Sequence, residues 1–419
     1  MSNIRKITEF PSVSAADSIG LEARYGAHNY LPLPVVLTHG SGAWLWDVNG
    51  KGYLDMMGAY SAASHGHCHP RLVKALTDQA HRLDVVSRAY HSDVLGPFLE
   101  KLCRISGMDM ALPMNTGAEA VETAIKAARR WGYRVKKIPK DKAEIIVAAG
   151  NFHGRTTTIV GFSSEPAYQD DFGPFAPGFV HVPFGDSAAV ANAITPNTTA
   201  ILVEPIQGEA GIRVPPKGWL EDLRRLADAN NVLLILDEVQ SGLGRTGRMF
   251  AFEHAGIRPD GLIVGKALGG GLLPVSAFLA RRDVMNVFEP GSHGSTFGGN
   301  PLAAAVGLEA INVLIDDKLV ERSADLGAHL MTRLKAVAHP AIRDVRGLGL
   351  WVGVEIDPAF AAARTVCERL ADAGLLTKET HDTVVRFAPP FVVTRDELDW
   401  AVKTFAQVLR DIETEKAAS

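Results

Sequence analysis

Val232-Leu233-Leu234-Ile235-Leu236-Asp237-Glu238-Val239-Gln240 is followed by Gly261-Leu262-Ile263-Val264-Gly265-Lys266-Ala267-Leu268-Gly269-Gly270-Gly271. In each stretch an apolar strand ends abruptly in an ionisable residue. Ligands of open α/β sheets bind outside the carboxyl ends of strands, so Asp237 and Lys266 are both predicted to point at a site. A lone charge at a strand end is as often a loop cap or a solvated lysine. Two such ends, one of them glycine-rich, move that balance only modestly.

Working outward, Glu144–Ala148, Thr156–Phe162, Ala200–Glu204 and Val275–Ala280 also read as strands, and Thr116–Lys137 reads as a helix. Several of these strands are nearly continuous apolar runs, the mark of a mostly parallel sheet covered on both faces. Beyond a helical Pro301–Ile315 the text becomes α+β. Leu319–Val337 is helical, Ile342–Ile356 holds two strand-like segments around Gly347-Leu348-Gly349, and Thr394–Glu413 is a charged amphipathic helix. Near the other end, Val35–Met57 is strand-like. Turns at His39-Gly40-Ser41-Gly42 and Asn49-Gly50-Lys51-Gly52 make it a small antiparallel meander, and a helix is predicted from Pro70. The expected division is a small α+β domain built from both ends of the chain, residues 1–75 and 316–419, around a large α/β domain, residues 76–315.

A chain of 419 residues, 47% hydrophobic and 21% charged, has room for two such cores. A formal net charge of -4 and a pI near 6.4 lack the basic field that draws nucleic acid or anionic membrane, leaving small molecules or proteins as partners. Cys68, Cys103 and Cys367 are few and widely spaced, with no Cys-x-x-Cys pair, and read as reduced structural thiols. No apolar run suits a signal peptide or a membrane helix. Arg5 and Lys6 lie among Glu9, Asp17 and Glu22, unlike an acidic-poor transit peptide, so a soluble cytoplasmic protein is the expectation.

These segments resemble the class III pyridoxal-phosphate aminotransferases of fold type I, from about Tyr25 onward. The phrases that carry the likeness are YGAHNY (25–30), YSAASHGHCHP (60–70), NTGAEAVETAIKAARRW (115–131), NFHGRT (151–156), VEPIQGEAGI (203–212), LDEVQSGLGRTG (236–247), GKALGGG (265–271), HGSTFGGNP (293–301) and RFAPP (386–390). YGAHNY and the closing GLLTKETHDTVVRFAPP (374–390) resemble the ornithine aminotransferases of that family in particular. The likeness implies a fold type I α/β architecture: a large domain with a mostly parallel seven-stranded sheet, plus the smaller α+β domain.

It also implies roles. Lys266 would condense with the aldehyde of pyridoxal 5'-phosphate, be displaced by the substrate amine and then shuttle a proton. Asp237 would keep the pyridine nitrogen protonated, because a neighbouring carboxylate favours the charged form. Gln240 falls near the ring hydroxyl, and Phe152 and Val239 on opposite ring faces, where unaided they read as ordinary core. Gly117 and Ala118 open the helix that follows Asn115-Thr116, and backbone N–H groups there suit a phosphate. Taken alone, that tripeptide is a plain cap. Ser295 and Thr296 match residues that reach the phosphate of the neighbouring subunit, which implies a homodimer with shared active sites.

For the substrates, the resemblance assigns Arg155 to the carboxylate far from the reacting carbon and Arg386 to the α-carboxylate of glutamate. Glu209 pairs with Arg386 during the ornithine half-reaction, which spares a buried guanidinium from standing alone. Tyr30 and Tyr60 shape the amine pocket. The implied reaction is L-ornithine plus 2-oxoglutarate giving glutamate and glutamate 5-semialdehyde, which cyclises to a pyrroline carboxylate, by a ping-pong route through pyridoxamine phosphate. The alternatives are another ω-amine (N-acetylornithine, 4-aminobutyrate or lysine), an aminomutase or racemase on the same fold, or a non-catalytic scaffold. His153 stands where ornithine aminotransferases commonly have tryptophan, Leu31 where histidine is frequent, and Ala59–His65 differs from the usual wording around Tyr60. His65, His67 and His69 could suggest zinc, but their spacing beside Gly66 and Pro70 reads as a turn, and no metal is expected.

Overall fold

Successive side chains of a strand point to opposite faces, and Leu233–Asp237 uses both. Leu233 and Ile235 join an apolar cluster with Ile145, Ala200, Ile263 and Phe278, while Leu234 and Leu236 join another with Ile146, Ile201, Leu262 and Val264. All of Leu233–Asp237, Thr198–Val203 and Gly261–Val264 is buried. A sheet sealed on both sides needs helices on both. Gly117–Arg134 contributes Ala120, Val121 and Ala124 to the first cluster, and Trp219–Ala229 contributes Trp219 and Leu223 to the second.

The computed structural model describes residues 13–418, so Arg5, Lys6 and Glu9 of the targeting reading lie outside the described residues. In spatial order the central sheet runs Met110–Met114, Ser276–Ala280, Gly261–Val264, Leu233–Asp237, Thr198–Val203, Glu144–Ala148, Phe179–Val182. Ser276–Ala280 is antiparallel to both neighbours and the other pairings are parallel. The seven-stranded, mostly parallel sheet expected above is therefore present, but its membership differs. Thr156–Phe162 is not a strand: Thr157–Val160 is a short helix, because the Thr156 hydroxyl accepts from the Ile159 N–H and caps it. The β-branched run favours a strand, and the local cap overrides it. Met110–Met114 and Phe179–Val182 join the sheet unannounced. Pro113 spoils the first as a strand signal, and it sits on an edge strand, where a missing N–H is tolerated.

A second, antiparallel sheet is ordered Ile342–Gly347, Val352–Ile356, Val384–Phe387, Glu379–Thr380, with helices Leu319–Lys335, Ala363–Asp372 and Arg395–Ala418 packed on and around it. The meander Leu37–Ser41, Trp44–Asp47, Gly52–Asp55 is antiparallel as expected, but its first turn lies at Gly42-Ala43 rather than over His39–Gly42, because His39, Gly40 and Ser41 pair with Trp46, Leu45 and Trp44; Leu375–Leu376 extends the sheet in parallel beside Gly52–Asp55. The two ends of the chain thus share a sheet. No described helix is long and apolar enough to cross a membrane. Cys367 is buried but Cys68 is exposed, so a structural reading of the thiols does not suit Cys68.

The loop Gly242–Gly247 ties the two sheets together. Arg245, fully buried, donates to the carbonyls of Leu350 and Pro389 and to the Ser64 hydroxyl, each at 2.8 Å, and its guanidinium lies 4.5 Å over the Phe391 ring. Burial pushes its pKa down to about 9. Beside it, a Cβ on Gly327 would stand 2.1 Å from the Gly349 carbonyl carbon, and one on Gly349 (φ +62) would stand 2.4 Å from that of Thr246. Three backbones cross here with no room for a side chain. Gly327→Ala should therefore lower the stability read from urea unfolding, by about 1–3 kcal/mol or more for forced overpacking. Gly20→Ala, where nothing lies within 4 Å, should not lower it.

Candidate active site

Parallel, in-register pairing sets three strand ends side by side: Val203 opposes Leu236, and Asp237 opposes Ile263. Glu204, Asp237 and Lys266 follow at or just past those ends. Lys266 opens a one-turn 3-10 helix with φ +46, a left-handed conformation that L side chains enter only at a cost of about 1–2 kcal/mol. Burial lowers its pKa and the charge of Arg386 adds to this, while Glu209, Asp237 and Glu204 work the other way. The result is an amine closer to its neutral, nucleophilic form than an exposed lysine.

Asp237 is buried, and both its oxygens accept hydrogen bonds: Oδ1 from the Val239 N–H at 3.0 Å, Oδ2 from His153 Nδ1 at 2.7 Å. Burial works against charge on His153, but the hydrogen bond and negative charge of Asp237, with Glu204 beyond it, hold its pKa above the ordinary value. His153 Nε2 is buried without a partner among the described residues. Glu204 is pushed up to about 7, by burial first and then by the charge of Asp237, with His153 and the Phe152 and Gly208 N–H groups opposing.

The phosphate end is built by local capping. The Thr116 hydroxyl accepts from the Glu119 N–H, and the Glu119 carboxylate accepts from the N–H groups of Asn115 and Thr116, which fixes the start of helix Gly117–Arg134. A Cβ on Gly117 would come within 3.0 Å of the Val239 side chain. Gly117, Ala118, Phe152, Asp237, Val239, Gln240 and Lys266 all line one cavity, together with His153 and Glu204. Ser295 and Thr296 do not line it. Ser295 accepts instead from Asn115 Nδ2 at 2.9 Å, and Thr296 is exposed.

Arg386 lies in strand Val384–Phe387, 1% exposed, and donates in a bidentate fork to Glu209 at 3.0 and 3.1 Å. Burial raises the pKa of Glu209, but the charge and hydrogen bonds of Arg386 outweigh it and hold that carboxylate below its ordinary value. Gln240 Nε2 lies 3.5 Å from the same carboxylate, and the Thr380 hydroxyl donates to the Glu209 carbonyl. The Tyr60 ring stands 5.1 Å from the Arg386 guanidinium. Tyr60 belongs to a single left-handed turn, with φ +56, +46, +58 and +75 from Gly58 to Ser61, anchored by Asp55 accepting from the Met57 and Gly58 N–H groups. Tyr30 is 68% exposed, yet its phenol acts electrostatically on Tyr60, whose pKa is raised by burial first and then by Glu209. Arg155 is exposed, 4.5 Å from the Tyr168 ring, with no carboxylate partner among the described residues. His65, His67 and His69 diverge to the Ala310 carbonyl, Asp55 and Asp317 respectively.

The pattern of the family described as Aminotransferase class-III matches residues 25–409. The chain belongs to this family. It is 55% identical over 394 residues, 94% of this chain and 98% of the other, to an ornithine aminotransferase of Geobacillus sp. (strain WCH70). It is 54% identical to one from Brevibacillus brevis, covering 92% of this chain and 96% of the other. Among solved structures it resembles the ornithine aminotransferase from Toxoplasma gondii, with a TM-score of 0.95, 43% identity and 96% of each chain covered. It also resembles the acetylornithine aminotransferase from Elizabethkingia anophelis, with a TM-score of 0.86, 43% identity, and 95% of this chain and 99% of that one covered.

Class-III aminotransferases use pyridoxal phosphate, and the cavity fits it. It offers an amine of lowered pKa for the aldehyde, a buried carboxylate for the ring nitrogen, the apolar Phe152 and Val239 for the ring, and the capped helix start at Gly117 and Ala118 for a phosphate. Two residues were not read from the sequence as part of this site. Glu204 carries the same signal as Asp237 and Lys266, a charge closing an apolar strand. His153 was noticed only as a departure, and nothing local tells that it reaches Asp237, 84 positions away. His153→Phe would leave a buried carboxylate oxygen without its donor, and pyridoxal-phosphate affinity should fall by about tenfold, read by titrating the apo protein. Because the folded His153 pKa lies above its ordinary 6.5, the stabilisation it gives is fully present below pH 6.5 and lost as pH rises through the folded value. The stability gap between wild type and His153→Phe in urea should therefore narrow towards alkaline pH.

Proposed function

We propose that this chain moves the δ-amino group of L-ornithine to 2-oxoglutarate, giving glutamate 5-semialdehyde and glutamate by a ping-pong route with pyridoxal 5'-phosphate. The Glu209–Arg386 pair carries this reading. Ornithine reacts at a carbon with no carboxylate, so Arg386 keeps Glu209 as its partner and no buried charge is bared. Glutamate reacts at a carbon that bears a carboxylate, which takes the bidentate place of Glu209 on Arg386. Arg155, free of any carboxylate among the described residues, is left for the distal carboxylate of either substrate. Bound pyridoxal phosphate would supply an electron-accepting ring; Asp237 would keep its nitrogen protonated, and Gln240 would serve its hydroxyl. Phe152 and Val239 would hold the ring, Gly117 and Ala118 the phosphate, and the Lys266 amine would carry the proton. Tyr30 and Tyr60 form the wall against the amine substrate.

The proposal includes a cytoplasmic homodimer in which Ser295 and Thr296 serve the phosphate of the partner subunit. Exposed Leu83, Val85, Tyr90 and Phe297 support it. The segments bearing them touch, through the Leu302 N–H on the Asp84 carbonyl at 3.2 Å, and exposed large apolar side chains suit a subunit contact. Likeness to an acetylornithine aminotransferase favours N-acetylornithine as the second reading. Separate incubation of the loaded protein with ornithine, N-acetylornithine and 4-aminobutyrate tells these apart by which amine bleaches the cofactor absorbance.

Lys266→Ala should abolish turnover, and normal turnover would end the proposal. In single-turnover measurements, Glu209→Ala should slow the ornithine half-reaction by about a hundredfold, the scale of a buried charge left unpaired, and the glutamate half-reaction far less. Equal losses in both halves would remove the switch.

A further inference from the structure

Tyr30 is aimed by a residue far away in sequence. Residues 21–32 are all exposed, and no residue of the helix Ala15–Tyr25 is buried, so packing within the chain does not orient this arm. Among the described residues, the hydrogen bonds that join residues 13–32 to the rest of the chain both come from Arg364. Its Nη1 donates to the Leu31 carbonyl at 3.0 Å and its Nη2 to the Pro32 carbonyl at 3.2 Å. Arg364 is itself held: Nε donates to Glu368 at 2.8 Å within the helix Ala363–Asp372, and Glu379 lies 3.6 Å from Nη1. Thr380, next in the chain, holds the Glu209 carbonyl.

We propose that Arg364 is a positioning residue for the amine substrate. Its planar fork fixes two successive carbonyls immediately after Tyr30, which a single-point ammonium does not reproduce. The arm between them is stiff, because Pro32 and Pro34 lock their own φ and restrict Leu31 and Leu33 to extended backbone. Fixing those two carbonyls therefore fixes the direction in which Tyr30 leaves the arm towards Tyr60. The same guanidinium abuts Glu379, so the arm bearing Tyr30 and the strand that steadies Glu209 share one anchor. This inference rests on the proposed reading that Tyr30 faces the amine substrate.

The test uses the cofactor-loaded full chain. Arg364→Met should raise the KM for ornithine by about tenfold, the scale of losing charge-assisted hydrogen bonds, and leave the KM for glutamate within about twofold. Cleavage by chymotrypsin after Tyr30 should quicken by about tenfold or more as the arm comes free, and Arg364→Lys should fall between. A general structural defect would instead move both substrates and kcat together. Unchanged cleavage overturns the clamp. Faster cleavage with an unchanged ornithine KM overturns the positioning role, and Tyr30→Phe then says why. A raised KM in Tyr30→Phe means that the arm stays aimed without Arg364, and an unchanged one means that the reading of Tyr30 itself is wrong.

Discussion

Parallel, in-register pairing of Thr198–Val203, Leu233–Asp237 and Gly261–Val264 is the constraint from which the site follows. Parallel strands must all end on the same edge, and their side chains are committed to two sealed faces until the ladder stops. At or just past that edge stand Glu204, Asp237 and Lys266. They are ionisable, close together and half walled by the sheet, and it is burial that costs the lysine part of its affinity for a proton, against the pull of the two carboxylates. A loop could hold such groups only with far more bonds of its own.

Charge placed at low dielectric has to be answered, and the site answers it in two layers. Asp237 is met by His153 and the Val239 N–H. Arg386 is met by Glu209, with the Tyr60 ring alongside. The second pairing differs because its carboxylate sits on a loop, Gly208 to Ile212, held by the Thr380 hydroxyl and by Arg346 donating to the Gly211 carbonyl at 2.8 Å. A fixed guanidinium with a partner on a loop is the arrangement a pocket needs when a substrate carboxylate must sometimes take that partner's place.

Around this centre the chain spends conformational strain. Four successive left-handed residues, Gly58 to Ser61, carry Tyr60 to the guanidinium, and only the first of them is a glycine. Lys266 is left-handed as well. Such positions persist where surrounding bonds over-determine them, here Asp55 on the turn and the Gly-rich run after Lys266. Arg245, with three carbonyl and hydroxyl acceptors, locks the neighbouring loop to the second sheet and so keeps the two walls of the cleft in one relation.

The sequence by itself determined what depends on near neighbours. The apolar runs that end at Asp237 and Lys266, the helix start after Asn115-Thr116 and the turn Asn49-Gly50-Lys51-Gly52 are all written within a few residues, so they could be read. Resemblance of whole phrases then supplied roles that composition does not. The resemblance also named one distant pair, Glu209 with Arg386 across 177 positions. The tertiary structure alone decided the other distant meetings: His153 finds Asp237 across 84 positions, and Arg364 finds Leu31 across 333. It also decided that the β-branched Thr156–Phe162 turns as a capped helix while Met110–Met114, with a proline inside, completes the sheet. Propensity and periodicity act over one or two turns of chain, whereas partners for buried charges and places in a sheet are set by the packing of the whole, which no local window contains.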